Sequence, residues 1–187
     1  MARLLGCALL GVVVGATACQ AQDACPPEMV RASAAQGDLT TIQNCLAEGA
    51  DVDAPSEDGV TALMLAAARA QLDMVAALVE AGADVDATTS DGVTPLMVAA
   101  AWGQLVSVRT LVRQGDADVT IEDAGGWTAI DWVSAAPYTT GDNVVAIMQF
   151  LQSPRVGGER GSGAGAADWP PDLAAILERA EGARPEN

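Results

Sequence analysis

Apolar and polar positions follow one another along most of the chain with the spacing of short amphipathic helices. Leu72, Val75 and Leu78 are separated by three residues each, which places them on one face of a helix. Three alanines at residues 66–68 precede this segment, and their small side chains allow a second helix to lie close. Thr61 precedes the segment ALML at residues 62–65 that leads into these alanines, and Thr is a suitable helix N-cap. The pattern therefore predicts a short helix followed by a longer amphipathic one.

The same pattern returns after 33 residues. Residues 59–87 read GVTALMLAAARAQLDMVAALVEAGADVDA, and residues 92–120 read GVTPLMVAAAWGQLVSVRTLVRQGDADVT. The spacing becomes 34 between Thr94 and Thr128, because Asp116 lengthens one turn. Each unit contains two helices and an Asp- and Gly-rich turn, and it has an apolar face that it cannot bury alone. We therefore expect the units to stack into a solenoid.

The period, the TALM and TPLM segments and the GADVDA turns resemble the ankyrin repeat. The resemblance implies an all-α solenoid of about four helix–turn–helix repeats joined by hairpin-like turns. We place these repeats at residues 28–55, 56–88, 89–121 and 122–152, after a linker at 22–27.

Two features depart from the ankyrin motif. Its histidine is replaced in the four repeats by Arg31, Met64, Met97 and Asp131, so we expect the bond of that histidine to the loop to be lost in all of them. Ala70 stands where a helix-ending Gly is expected, which predicts a modest strain.

The N-terminal segment has the pattern of an export signal. Residues 1–21 combine Arg3, an apolar stretch and small residues, with cleavage expected near residues 18–21. The segment ATAC at 16–19 resembles a lipoprotein cleavage site, so Cys19 is a candidate for lipidation. Ordinary cleavage after Ala18 or Ala21 fits about as well. We expect a periplasmic protein, or an envelope-attached one if Cys19 carries a lipid, which would be its one link to a membrane.

Two further cysteines follow this segment. Lipidation at Cys19 and cleavage after Ala21 both leave Cys25 and Cys45 as an even pair, and we predict a disulfide between them. Closing that loop would contribute about 3 kcal/mol in the chain-entropy model. Two buried free thiols are the alternative.

The C-terminal part of the chain differs in composition from the repeats. Residues 153–171 are rich in Gly and Pro and predict a flexible linker. Residues 172–187 predict a short helix or tail, in which Leu173, Ile176 and Leu177 form one apolar stripe. This segment docks onto the solenoid, awaits a partner or has no role.

The net charge of −16 and the absence of His and Lys argue against several classes of function. Nucleic-acid binding depends on clustered basic residues, and His is the commonest general base and zinc ligand. No nucleophile or phosphate-binding motif is present either. We therefore expect no enzyme activity, no cofactor, no metal and no nucleic-acid partner.

Acidic residues collect in the turns between helices. They could form one stripe that attracts a basic protein, or they could serve only turn formation and solubility. These residues are Asp51, Asp53, Glu57, Asp58, Asp84, Asp86, Asp91, Asp116, Asp118, Glu122 and Asp123.

The resemblance implies a monomeric, non-catalytic module that binds one protein through its turns and the inner face of its first helices. The positions that it selects are Trp102, Arg69, Arg31, Glu57, Val60, Ser90, Val93 and Trp127. Trp102 is the best candidate for an anchor, although it could instead pack within the array, and Trp127 is more typical of local packing. An adaptor or scaffold is the leading role. The alternatives are an inhibitor or immunity-type antagonist of a toxic or hydrolytic enzyme, and a lipid-anchored structural component.

Overall fold

The computed structural model of the protein describes residues 25–135 and 141–153. These residues contain eight helices and no strand, which confirms the all-α prediction. The helices are α1 (Pro27–Gln36), α2 (Leu39–Ala47), α3 (Ala62–Ala68), α4 (Leu72–Glu80), α5 (Pro95–Ala101), α6 (Leu105–Arg113), α7 (Ala129–Ala135) and α8 (Gly141–Leu151). None of these described helices could span a membrane. The predicted export signal with Cys19, the linker from residue 154 and the C-terminal tail lie outside the described residues.

The helices form two layers. The inner helices α1, α3, α5 and α7 pack side by side, and the outer helices α2, α4, α6 and α8 lie behind them. Every residue of α3 and α5 is buried, whereas α4 buries only Met74, Val75 and Leu78. This contrast follows from composition, because runs of alanine let the inner helices approach closely and the outer helices keep one polar face.

The inner helices begin and end at repeating signals. Thr94 Oγ1 accepts a hydrogen bond from the Met97 backbone N–H at 3.2 Å, and this N-cap is followed by Pro95 in the first turn. The inner helix ends at left-handed backbone in the first three repeats. The left-handed residue is the C-cap Gly37 in α1, with φ of 78°, and the residue after the C-cap in α3 and α5, with φ of 55° at Ala70 and 67° at Gly103. Ala70 therefore carries the strain that the sequence predicts, of about 1 kcal/mol.

The turns that precede α3, α5 and α7 are closed by one recurring side-chain bond. The backbone N–H of the fifth turn residue donates to the side-chain oxygen of the first. These bonds run from Val60 to Ser56 at 3.0 Å, from Val93 to Thr89 at 3.1 Å and from Trp127 to Asp123 at 2.9 Å. Ser, Thr and Asp thus each supply a side-chain oxygen as the acceptor at the first position of the turn.

Backbone bonds then join each turn to the next one. The N–H of Ser90 donates to the Asp58 carbonyl at 3.0 Å, and that of Ala124 donates to the Asp91 carbonyl at 2.8 Å. Gly92 lies at such a junction with φ of 79°, and a Cβ there would be 3.0 Å from Ala124 N. Turns that touch this closely form one continuous edge of the solenoid.

Side chains also link neighbouring repeats. Asp53 Oδ1 accepts from the Asp84 N–H at 2.9 Å, and Asp86 Oδ1 accepts from the Asp118 N–H at 3.0 Å. Gln71 Nε2 donates to the Ala35 carbonyl at 3.0 Å. Because these bonds cross from one repeat to the next, they fix the stacking register.

Cys25 and Cys45 lie at disulfide distance, with their Cα atoms 5.3 Å apart. Their pairing connects the segment before α1 to α2, as the sequence predicts.

The expectation that all four repeats lose the motif histidine's bond to the loop is wrong in the first repeat. Arg31 Nη1 donates to the Ala54 carbonyl at 3.1 Å and to the Pro55 carbonyl at 3.0 Å. The guanidinium carries several donors on a long side chain, so from a buried position it reaches the loop at the end of its own repeat.

Candidate partner-binding surface

Two predicted contact residues lie at equivalent ends of inner helices. Arg69 is the C-cap of α3, and Trp102 is the C-cap of α5. The exposed Arg69 donates through Nη1 to the Ala35 carbonyl at 2.7 Å, whereas the half-buried Trp102 packs against the core. A rigid aromatic ring and a guanidinium therefore stand at matching places on neighbouring repeats, where they can contribute to one contact surface.

Four other predicted contact residues are buried, and the expectation that their side chains meet a partner is wrong. The exposed fraction is 0% for Val60, 2% for Val93, 5% for Trp127 and 7% for Arg31. The two valines and Trp127 close their turns and point into the core, and Arg31 is held by the loop carbonyls described above. Apolar residues directly before a buried helix are expected to be buried, and this signal was present in the sequence.

The remaining predicted residues, Glu57 and Ser90, are exposed on the turns. Ser90 Oγ donates to the Asp58 carbonyl at 3.3 Å, which holds the hydroxyl against the neighbouring turn. Glu57 is a charged residue on the same side of the solenoid. Both are therefore accessible.

Exposed carboxylates follow one another along the stacked turns. We call them the acidic edge, and its members are Asp51, Glu57, Asp84, Asp91, Asp116, Asp118 and Glu122. Their spacing is set by the backbone and side-chain bonds between turns. The acids of neighbouring turns are thus exposed together, which is the arrangement that one of the two interpretations from the sequence requires.

The pKa values of three acids in these turns depart from the ordinary value in two directions. Partial burial is the main cause that raises the pKa of Asp53 and of Asp86, and the carboxylates of the adjoining turns add to the rise. The hydroxyl and backbone N–H of Thr120 lower the pKa of Asp118. Asp53 and Asp86, which accept hydrogen bonds from the next repeat, are thus harder to ionise than Asp118. The charge of Asp118 is stabilised by the hydrogen bonds from Thr120 in the same turn.

Asp123 has a structural role that its place among the turn acids did not reveal. It is buried, and Oδ1 accepts from the N–H groups of Gly125 at 2.8 Å and Trp127 at 2.9 Å. Oδ2 accepts from Nε1 of the fully buried Trp132 at 2.9 Å. Asp123 therefore anchors the fourth repeat and does not belong to the acidic edge.

Chemical groups for catalysis or metal binding are sparse in the described part of the chain. Within residues 25–135 and 141–153, no group of three or more acidic or cysteine side chains is placed to hold a metal ion. Most of the described acids in the turns are exposed to solvent. The surface is suited to contact with another macromolecule.

The family of the chain can be stated from comparison as well as from geometry. A family model described as ankyrin repeats (3 copies) matches residues 29–123, which is just over half of the chain. The protein belongs to the ankyrin repeat family and carries a protein–protein interaction module of that type. No curated protein matches it.

Proposed function

We propose that the protein is an exported ankyrin adaptor or scaffold that binds one protein partner in the cell envelope and catalyses no reaction. The observation that supports this most is the acidic edge, in which bonds between turns hold exposed carboxylates along the stacked repeats. A surface of this kind is complementary to a protein with a basic face.

The rigidity of the surface favours binding. Its turns are already fixed by the Ser90–Asp58 and Ala124–Asp91 backbone bonds, so little flexibility is lost when a partner is bound. The carboxylates attract the partner from a distance and speed its capture, and the effect weakens as salt is added. Trp102 supplies the apolar anchor of the contact.

Two features support a location outside the cytoplasm. The export pattern at residues 1–21 is one, and the pairing of Cys25 with Cys45 is the other, since such pairs persist in oxidising compartments. We propose that a monomer works in the periplasm, or at the envelope surface through a lipid on Cys19. Mass spectrometry of the mature N-terminus distinguishes these forms, and an unmodified start at Gln22 excludes the anchor.

The acidic edge also favours a second candidate, an inhibitor or immunity-type antagonist. A row of carboxylates can occupy the site of an enzyme that normally binds an anionic substrate. Adding the protein to the activity assay of a captured partner separates the two roles. An inhibitor lowers turnover, whereas an adaptor changes only location or assembly.

The test is capture from envelope extract with the full chain, read by mass spectrometry at low and moderate salt. One variant carries Glu57→Gln and Asp91→Asn on the acidic edge. The matched control carries Asp73→Asn and Glu80→Gln, which remove the same charge from the exposed face of α4. A third variant is Trp102→Ala.

We expect one partner whose recovery falls several-fold with salt, with the acidic-edge variant and with Trp102→Ala, and stays unchanged with the α4 control. Equal loss with both charge variants would contradict recognition by the acidic edge. No partner above background would contradict the adaptor role.

A further inference from the structure

Two arginines and one aromatic ring meet on the outer layer of the solenoid. The guanidinium carbon of Arg109 lies 5.7 Å from the centroid of the Phe150 ring, and that of Arg113 lies 5.3 Å from it. The two arginines are one helical turn apart on α6, and Phe150 belongs to the neighbouring outer helix α8. We call these three residues the arginine–phenylalanine cluster.

The cluster is held from below and open to solvent above. Phe150 is half-buried and packs against the core, whereas Arg109 and Arg113 are exposed. The ring attracts both guanidiniums through cation–π contacts and thereby restricts their positions. A guanidinium that lies over a ring keeps N–H groups at its edge, where they can donate to an acceptor from outside.

The positive charges of the cluster have no counter-ion in the part of the chain that the structure describes. The chain has 25 acids, yet neither arginine of the cluster forms an ion pair with a carboxylate of residues 25–135 or 141–153. Arg31 and Arg69 differ, because each donates to a backbone carbonyl. Two like charges four residues apart on a helix also repel each other. An anionic group that reaches the cluster is therefore attracted by both guanidiniums.

The cluster is not part of the plan that the repeats share. The positions on α4 that lie 33 residues before Arg109 and Arg113 carry Ala76 and Glu80. Helix α4 packs in the same outer layer with this uncharged residue and this acid. The stacking of the outer helices therefore does not require the two arginines.

Carboxylates of a protein segment fit the cluster better than an anionic membrane does. Membrane surfaces are recognised by clusters of about four to eight basic residues, and the cluster has only two. The net charge of −16 also opposes the approach of the chain to an anionic surface. A guanidinium, in contrast, can donate two parallel hydrogen bonds to one carboxylate, so a segment with two acidic residues can use both arginines.

We propose that Arg109, Arg113 and Phe150 form a docking site for an acidic segment of a protein, which binds through its carboxylates. The charge of this site is opposite to that of the acidic edge, so the two surfaces select different partners. The site goes beyond the proposed adaptor function and does not depend on it. Where both hold, the outer helices supply the second contact with which an adaptor brings two proteins together.

A peptide titration of the full chain tests the site. The probe is fluorescein-labelled hexaglutamate, the neutral control peptide is hexaglutamine, and fluorescence anisotropy measures binding. We expect hexaglutamate to bind, and Arg109→Gln or Arg113→Gln to weaken its binding roughly fivefold. Arg69→Gln removes the same charge from another exposed position and should leave the affinity unchanged.

Phe150→Leu tests the role of the ring. Leucine keeps an apolar contact with the core but offers no ring face to the guanidiniums, so the variant should also weaken binding of hexaglutamate. Helical circular dichroism confirms that each variant is folded. No binding of hexaglutamate, equal binding of hexaglutamine, or an equal loss with Arg69→Gln would overturn the proposal.

Two further measurements distinguish the acidic segment from other occupants. Vesicles of phosphatidylglycerol and phosphatidylcholine in equal parts replace the peptide in the first, and sedimentation of the chain alone detects self-association in the second. Vesicle binding or self-association that is lost in Arg113→Gln, without binding of hexaglutamate, would overturn the proposal in favour of a membrane surface or a second copy of the chain. Capture of a basic partner by the acidic edge remains a separate test of the adaptor function.

Discussion

The second and third repeats, residues 56–88 and 89–121, share one backbone plan and differ at matching positions around the inner helix. Thr94 caps α5, whereas Thr61 makes no such bond at the start of α3, and its buried hydroxyl finds no hydrogen-bond partner. The left-handed residue is Gly103 in one repeat and Ala70 in the other. The shared positions thus maintain the stack, and the differing positions adjust local stability and the exposed surface.

The comparison of these two repeats also distinguishes the residues that maintain the stack from those that can contact a partner. The Asp53–Asp84 and Asp86–Asp118 links are nearly identical, with distances of 2.9 Å and 3.0 Å. Arg69 and Trp102 occupy the same position but have different chemistry. A residue that repeats along the solenoid therefore serves stacking, and one that changes at an accessible position is the better candidate for partner contact.

The largest expected effect comes from a glycine in the shared plan. Gly92→Ala should lower the free energy of unfolding by about 3 kcal/mol, because left-handed backbone costs an alanine about 1–2 kcal/mol and the new Cβ also crowds Ala124 N. The control is Gly82→Ala, where φ is 87° but no atom lies within 4 Å of the added Cβ. Urea denaturation measures both variants. If the control loses as much stability as Gly92→Ala, close turn contact does not fix the stacking.

A smaller effect of opposite sign is expected where the two repeats differ. Ala70→Gly should raise the free energy of unfolding by up to about 1 kcal/mol, since the relief of left-handed strain outweighs the added flexibility of the unfolded chain. Gly103→Ala should lower it by about 1 kcal/mol for the same reason. Thermal unfolding checks the pair. A loss of stability in both variants would show that the strain at Ala70 is negligible.

The smallest effect concerns the acids that link repeats and depends on pH. Burial raises the pKa of Asp86 above 3.8, so its ionised form costs stability at neutral pH, and the cost disappears as the pH falls through the raised pKa. Asp86→Asn keeps the acceptor oxygen, and it should increase the melting temperature at pH 7 but not at pH 3. The gain should be below about 1 kcal/mol, because solvent screens a partly exposed carboxylate.

Asp118→Asn is the control, and we expect it to change stability at neutral pH in the opposite direction. The pKa of Asp118 is lowered, so the contribution of its charge is present at neutral pH and is lost as the pH falls through that lowered value. This variant should therefore be less stable than the unaltered chain at pH 7 and equal to it in strong acid. The same pH dependence in both variants would contradict the assigned causes of the two shifts.

Much of the fold could be predicted from the sequence because the 33-residue period fixes helices, turns and stacking together. Side-chain direction within a turn was harder to predict. Asp91 and Asp123 look alike in the sequence, but the extra residue Asp116 shifts the register, so Asp123 corresponds to Thr89 and faces inwards. Its bond to Trp132 depends on the packing of α7, which no local pattern reveals.

The most direct test of the account asks which face of the solenoid meets the partner. A photo-reactive benzoylphenylalanine is placed at Trp102 on the inner side or at Val106, which is 50% exposed on α6, and the full chain is irradiated in envelope extract. Binding through the inner face predicts an adduct with one foreign protein from position 102 and several-fold less of it from position 106. An adduct from position 106 with none from position 102 would contradict binding through the inner face.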